Sequence, residues 1–112
     1  MGKRHGIKIM TFNDLKFRDI SNTHGEGACQ AYVNLPNGLD VSVVRHRFSH
    51  GGEKGLYEIG VFGPDGNMMT IEEWGDQVKG WLTPEDIDKE LEILQGLRPL
   101  GDLTGTVWEK LA

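Results

Sequence analysis

The chain has 112 residues, of which 38% are hydrophobic and 26% charged, and its formal net charge is −5. This length predicts one domain with a modest core, and this composition is typical of a globular protein. The single cysteine, Cys29, excludes an internal disulfide and a zinc site built from several thiolates.

The first third of the chain has weak periodicity. Residues 1–10 are predicted to form a flexible N-terminal tail, and residues 11–97 a single domain. Within the segment 12–20, apolar and polar residues alternate, which favours a strand; a short helix at Asn13 is the alternative. The polar, glycine-containing segment 21–27 is predicted to be a loop.

A β-hairpin is predicted next. Apolar residues alternate with polar ones over residues 28–35 and again over residues 39–48, as in half-buried strands. Pro36, Asn37 and Gly38 separate the two runs and suit a tight turn, because proline presets φ while Asn-Gly tolerates positive φ.

The chain continues with residues 56–62 as a third central strand, in which Gly60 suggests a bulge or a close backbone approach. Residues 64–66 form a second turn, and residues 68–74 are predicted to be the next strand. Residues 75–82 are predicted to be a connection held to the core by Val78, Trp81 and Leu82.

One helix is predicted after this connection. Thr83 suits the N-cap and Pro84 the first helical position, where a missing N–H has no consequence. Gly96 is predicted to end the helix in a left-handed conformation. One apolar stripe follows the helical period, formed by Ile87, Leu91 and Leu94.

Residues 98–112 are predicted to form a C-terminal tail, and docking of this tail through Leu100, Leu103, Val107 and Trp108 is left open. The sequence as a whole predicts an α+β fold, with an antiparallel four- to five-stranded sheet and one C-terminal helix packed on a face.

The strongest polar cluster spans residues 45–55. It holds two arginines, two histidines, a lysine and three glycines. Arginine side chains and loop N–H groups can bind anionic groups, and Arg45 and Arg47 would share a face if both lie in a strand. A solvated strand end is the plainer interpretation. The predicted partner-contact residues are Arg45, Arg47, His50, Lys54 and Trp74.

Metal and catalytic chemistry are not predicted. His46 and His50, with Glu53 or Glu58, could be metal ligands only if the chain bends, because four strand residues span roughly 13 Å at about 3.3 Å per residue. Glu72 and Glu73 would point to opposite faces of a strand. No Gly-x-Ser-x-Gly motif is present, and no residue is assigned to a cofactor.

The flanking residues predict different environments for Trp74 and Trp81. Trp81, between Gly80 and the start of the helix, is predicted to lie in the core under the helix, whereas Trp74 is the predicted interface residue. The helix also carries a run of acidic residues that could mimic a phosphate backbone, although such a run is usually a solvated face. These are Glu85, Asp86, Asp88, Glu90 and Glu92.

Four segments of the chain carry a resemblance to a known group. They are residues 41–46, residues 51–59, Asp65-Gly66 and residues 80–86. This pattern resembles small uncharacterised proteins of tailed bacteriophages and prophages over residues 12–95. The resemblance includes no catalytic signature. It implies a phage accessory protein that acts in the cytoplasm of a bacterial host.

The charge distribution restricts the function further. Residues 1–54 carry eight Lys/Arg and five Asp/Glu, whereas residues 55–112 carry four and twelve. The acidic half argues against nucleic-acid binding by the whole surface. No hydrophobic run reaches the ~18 residues of a membrane span, and the basic start lacks the apolar core of a signal peptide.

The sequence therefore predicts a cytoplasmic protein that binds a macromolecular partner, a host protein among the candidates, with no membrane contact and no catalysis. A nucleic-acid-associated module that uses the basic end of the hairpin is the alternative. A small metal-dependent or hydrolytic enzyme is the third candidate.

Overall fold

The computed structural model describes residues 10–71, 74–99 and 108–110. Five antiparallel strands form one sheet in chain order, and a single long helix follows them, so the predicted α+β fold is confirmed. The strands of this sheet are β1 (Arg18–Asp19), β2 (Cys29–Asn34), β3 (Asp40–Arg45), β4 (Tyr57–Phe62) and β5 (Val78–Leu82). The helices are α1 (Ser21–His24) and α2 (Pro84–Gln95), with 3₁₀ turns at Phe12–Asp14 and Gly52–Lys54.

The central hairpin of β2 and β3 agrees with the prediction, with Ala31 paired to Val43 and Val33 to Val41. Asn37 in its turn also fastens the hairpin to the helix, because its side-chain amide donates to the carbonyl oxygens of Leu94 at 2.8 Å and of Leu97 at 2.9 Å. The predicted second strand of this hairpin, residues 39–48, is too long: β3 ends at Arg45.

The strand predicted over residues 12–20 is confined to two residues, and the alternative, a short helix at Asn13, is present as a 3₁₀ turn. Residues 12–20 form a 3₁₀ turn and the two-residue strand β1, and the predicted loop 21–27 contains the short helix α1. Local side-chain bonds explain the turn, since the Asp14 carboxylate accepts from the backbone N–H of Thr11 at 2.9 Å. Phe12 then packs against Phe17 and Tyr57, with ring centroids 5.5 and 5.2 Å away.

The fifth strand lies where a connection was predicted. Residues 68–74 do not form a strand in their described part; Met68 and Ile71 make only isolated bridges, to Phe62 and Asp76 respectively. The strand is instead β5, within the predicted connection 75–82. A bulge interrupts the alternation of apolar and polar residues in β5, so the period-two pattern that predicts a strand is missing there.

Helix α2 covers one face of the sheet. Its start is the predicted one: the Thr83 hydroxyl accepts from the Asp86 N–H, and the Asp86 carboxylate accepts from the Thr83 N–H, both at 3.1 Å. The predicted stripe of Ile87, Leu91 and Leu94 is fully buried. It packs on the buried sheet residues Val41, Val43, Ile59 and Val61.

The end of α2 differs from the prediction. Gly96 has φ of −94° and ψ of 3°, so it is not left-handed. Its N–H donates to the Ile93 carbonyl at 3.0 Å, which closes the last turn with a 3₁₀-type bond. Leu97 remains buried in the core.

Both chain ends were predicted to be tails. Met10 exchanges two backbone hydrogen bonds with the Gln95 side chain, at 2.8 and 3.0 Å, so residue 10 is attached to the end of α2. Strand β6 (Leu97–Pro99) pairs antiparallel with β7 (Trp108–Lys110). Residues 1–9, 100–107 and 111–112, with Leu100, Leu103 and Val107 among them, lie outside the described residues.

The sheet face opposite α2 is not covered by a helix in the described part of the chain. It carries Tyr32, which is 54% exposed and lies 6.2 Å from the Phe62 ring. A shallow groove of about 150 Å³ runs along this face between β3 and β5, lined by Ser42, Val44, Glu58, Gly60, Phe62, Met68 and Val78. Gly60 is close to its neighbours as predicted, since a Cβ there would lie 3.1 Å from the Met68 methyl.

Candidate interaction surface

A β-bulge between β4 and β5 shapes the surface around Trp81. The pairing of β4 with β5 shifts register between Tyr57 and Ile59, so that Gly80 and Trp81 together face the single residue Glu58. A bulge of this kind leaves one extra residue in the strand and changes the direction of its side chain.

Trp81 is the extra residue that this bulge exposes. Its φ is +63°, the only positive value among the non-glycine residues that the structure describes, and its side chain is 59% exposed. The predicted position of Trp81 in the core was therefore wrong. A left-handed conformation costs a residue with a Cβ roughly 1–2 kcal/mol, so the bulge holds this indole in solvent against a backbone preference.

The loop between β3 and β4 is seated on the bulge. The carbonyl oxygen of His50 accepts a 3.1 Å hydrogen bond from the Trp81 N–H. A Cβ at Gly80 would overlap the Cβ of His50, and a Cβ at Gly51 would lie 2.9 Å from the Trp81 Cα. Two glycines therefore allow the loop backbone and the bulge to touch, and Gly51 also has φ of +89°.

A buried serine shapes the first turn of this loop. The Ser49 hydroxyl accepts from the His46 N–H at 2.9 Å and donates to the His46 carbonyl at 2.8 Å. These bonds occupy the backbone groups of His46, so the chain leaves the sheet immediately after Arg45. Local side-chain bonding thus ends β3 earlier than alternation predicts.

The turn projects an aromatic side chain and an arginine into solvent. Phe48 is 74% exposed, and the Arg47 guanidinium lies 4.9 Å from the centre of its ring. The Arg47 side chain also runs beside Gly25, where a Cβ would lie 3.4 Å from its Nε. The Arg47 side chain therefore lies against Gly25, the residue that follows helix α1.

Two histidines support the same turn. The His46 ring lies 4.9 Å from the His24 ring, and its Nδ1 accepts from the Phe48 N–H at 3.1 Å. Burial and the neighbouring His24 lower the pKa of His46 below its ordinary value, and Glu58 acts in the opposite direction. His50 points elsewhere, with its Nδ1 2.7 Å from the Glu58 carboxylate.

We name the exposed side chains of residues 46–55, together with Trp81, the loop–bulge surface. Of the residues predicted to contact a partner, Arg47, His50 and Lys54 belong to it and are exposed. Phe48 and Trp81 complete it and were not predicted. Phe48 could have been noticed as the one large apolar side chain in a polar, glycine-rich run, whereas the sequence gives no signal for the exposure of Trp81.

Two predicted contact residues lie elsewhere. Arg45 is the last residue of β3, so the assumption that Arg45 and Arg47 share a strand face was wrong. Its guanidinium donates to the Tyr57 hydroxyl at 3.0 Å and lies 5.1 Å from the centre of the Tyr57 ring. Arg45 is thus attached to the aromatic cluster at the edge of the core.

Trp74 is also occupied inside the fold. It is half-buried against the core, and its indole N–H donates to the Glu90 carboxylate at 2.7 Å. Lys79 of β5 donates to the second oxygen of this carboxylate at 2.8 Å. The buried Glu90 of α2 is therefore bonded both to Trp74 and to β5. Trp74 is therefore bonded to α2, and its contact with a partner stays a prediction.

Comparison of this chain with known protein families, with curated proteins and with solved structures finds no match. The resemblance to phage proteins therefore stays a prediction.

The described part of the chain offers neither a cluster of metal ligands nor a membrane-spanning helix. In residues 10–71, 74–99 and 108–110, no three histidine, cysteine or carboxylate side chains lie close enough to hold a metal ion. His46 and His50 are occupied separately, by Phe48 and Glu58. No helix in the same part of the chain has both the length and the apolar character to span a bilayer. Glu72 and Glu73 lie outside the described residues.

Proposed function

We propose that this protein is a binding module that contacts a protein partner through the loop–bulge surface and performs no catalysis. The conformation of Trp81 carries the proposal. A large aromatic side chain stands in solvent on a left-handed backbone, which is strained for any residue but glycine. Glycine would adopt this backbone conformation without strain, so an exposed tryptophan at this position points to a use of its side chain outside the fold.

The composition of the surface supports a protein partner. Tryptophan and arginine are the residue types most enriched among the side chains that dominate binding energy, and other aromatic residues are enriched in interfaces generally. Phe48 and Trp81 supply apolar area, and Arg47 supplies a planar cation beside it. The partner that fits this arrangement presents an apolar pocket surrounded by acidic side chains.

The rigidity of the surface supports the same proposal. Ser49 fixes the turn that carries Phe48, and the bond between His50 and Trp81 fixes that loop to the sheet. A surface held in place before binding loses less conformational entropy when a partner arrives. Exposed aromatic residues on such a frame are suited to recognition.

The strongest catalytic candidate lacks a nucleophile. His50 and Glu58 form a close pair of the kind that orients a general base. No hydroxyl or thiol of the described residues is hydrogen-bonded to the His50 ring, and Ser49 uses its hydroxyl on the His46 backbone. The pair is better suited to stabilising the loop against β4.

The cellular setting comes from the sequence resemblance alone. A small phage accessory protein with an acidic overall charge would act in the bacterial cytoplasm, where host proteins are the available partners. We therefore place a host protein first among the partners.

A capture experiment with matched variants tests the proposal. Tagged protein is incubated with bacterial lysate as the wild type, as Phe48→Ala and as Tyr32→Ala. Tyr32→Ala is the matched control, because Tyr32 is also an exposed aromatic residue but lies on the open sheet face. A protein retained by the wild type and by Tyr32→Ala but lost with Phe48→Ala is the expected result. Equal retention by all three would contradict the proposal.

Single-stranded nucleic acid is the second candidate, because exposed aromatic rings beside cations can stack on bases. Titration of labelled DNA and RNA oligonucleotides at several salt concentrations separates the two. Binding to phosphates weakens steeply with salt through counterion release. Salt-sensitive binding that Phe48→Ala abolishes would favour this candidate over a protein partner.

A further inference from the structure

The rings of His24 and His46 pack together beside the turn that presents Phe48, and the centre of the His46 ring lies 6.4 Å from that of Phe48. The two imidazole rings lie 4.9 Å apart, one on α1 and the other at the end of β3. The Nδ1 atom of His24 is 2.8 Å from the Thr23 hydroxyl, which leaves the ring anchored within its own helix. The pair therefore joins α1 to the turn that presents Phe48.

One hydrogen bond in this turn depends on the protonation state of His46. The Phe48 N–H donates to His46 Nδ1 at 3.1 Å, so Nδ1 must carry a lone pair. A neutral imidazole offers one such acceptor nitrogen, whereas an imidazolium offers none. Protonation of His46 at Nδ1 places an N–H against the Phe48 N–H and removes this bond.

The charged groups around His46 act in both directions. His24 faces it from α1, Glu58 faces it from β4, and Arg47 follows it in the chain. Burial is the largest influence and lowers the pKa of His46; the charge of His24 adds to this effect, and Glu58 opposes it. The closed turn therefore favours the neutral ring.

We propose that the His24–His46 pair is a pH-sensitive element that fixes Phe48 while the His46 ring is neutral and releases it when that ring is protonated. This inference rests on the proposed function, because it describes regulation of the same loop–bulge surface. In acid, the Phe48 N–H loses its acceptor, and the charge on His46 is disfavoured by the adjacent His24. The turn then opens, and the surface loses its ordered aromatic side chain.

The direction of the pH dependence follows from linkage. The pKa of His46 is lower in the closed turn than in an open one, so the open turn binds more protons. The closed turn is fully favoured above the ordinary histidine pKa of about 6.5 and loses this advantage as pH falls through the lowered value. Binding that needs Phe48 should weaken over the same interval.

Nuclear magnetic resonance of the isolated protein tests the element without a partner. The amide of Phe48 and the ring of His46 are followed between about pH 8 and about pH 4.5, a range that brackets the ordinary histidine pKa. Exchange of the Phe48 amide is corrected for its intrinsic pH dependence. We expect its protection to fall by about twofold to tenfold as His46 takes up its proton, as for the loss of one hydrogen bond.

A matched variant identifies the group responsible. In His46→Asn, the side-chain oxygen can still accept from the N–H two residues along the chain, as in an Asx turn, but it does not titrate in this range. The Phe48 amide should then keep its protection in acid. An unchanged wild-type amide across the titration, or equal loss in wild type and His46→Asn, would overturn the proposal.

A second variant tests the pairing of the two histidine rings, and its result does not depend on whether His46→Asn folds. His24→Gln removes the neighbouring charge, so the midpoint of the Phe48 response should move to higher pH. An unmoved midpoint would contradict a role for the pair. Because this readout uses no partner, it can fail while binding through Phe48 stands, and the binding experiment can fail while this result stands.

Discussion

The backbone N–H of Trp81 donates a 3.1 Å hydrogen bond to the carbonyl oxygen of His50. This bond joins the bulge of β5 to the loop after β3, two parts of the chain that are about thirty residues apart. It holds the loop that carries Phe48 against the strand that carries Trp81. The surface that we propose for binding depends on this junction.

The strain at Trp81 predicts an unusual order of stability in two variants. Trp81→Gly should be more stable than Trp81→Ala by about 1 kcal/mol, because only glycine adopts positive φ freely. In an extended strand the order is reversed, with alanine better by roughly 0.5–1 kcal/mol. Urea melts of the two variants decide between these conformations, and greater stability of Trp81→Ala would show that the bulge is absent.

The close approach at Gly80 predicts that adding a single methyl group there would push the loop away from the sheet. Gly80→Ala should lower the free energy of unfolding by about 1–3 kcal/mol, since its Cβ overlaps that of His50. Gly96→Ala is the control, because a Cβ there meets nothing nearer than 3.6 Å. Thermal melts that show equal small effects for both would mean that the loop does not rest on the bulge.

The two arginines of the polar cluster should behave differently. Arg45→Ala removes the hydrogen bond to Tyr57 and the stacking on its ring, an expected loss of about 1–2 kcal/mol. Arg47→Ala affects an exposed side chain and should change stability by no more than about 0.5 kcal/mol. Parallel urea melts measure both, and a larger effect at Arg47 would reverse the roles assigned to them.

The packing of α2 on the sheet rests on Leu91. It is fully buried, so Leu91→Ala should destabilise the protein by about 2–5 kcal/mol. Lys89→Ala on the exposed side of the same helix provides the control. A loss below about 0.5 kcal/mol for Leu91→Ala would place the core elsewhere.

The parts of the fold that could be predicted are those with local causes. Thr83, Pro84 and the apolar stripe define the helix, and Asn37 with its flanking alternation defines the hairpin. Each of these signals lies within a few residues of the structure that it specifies.

The missed parts depend on contacts between distant segments. Lys79 and Leu82 are three residues apart, yet one contacts Glu90 on α2 and the other is buried beneath it, because the bulge absorbs one residue. A test for period-two alternation fails at such a strand. The exposure of Trp81 likewise follows from its backbone angle, which no residue pattern in the chain signals.

The error at Arg47 has a smaller cause. Arg45 and Arg47 would share a face only if the strand continued through both residues. The strand ends at Arg45, because the Ser49 hydroxyl is hydrogen-bonded to the N–H and the carbonyl oxygen of His46. Serine is able to compete with a strand in this way, but it does so only in some contexts. The polar cluster of residues 45–55 could therefore be recognised in the sequence, but its conformation could not.

The most direct test of the account is a binding titration of Trp81→Gly beside the wild type, with the partner that the capture experiment identifies. The variant keeps a backbone suited to the bulge and removes the indole alone. We predict binding weaker by about tenfold or more, with the variant still folded, as for a side chain that dominates an interface. Unchanged affinity in the folded variant would contradict a binding role for the loop–bulge surface.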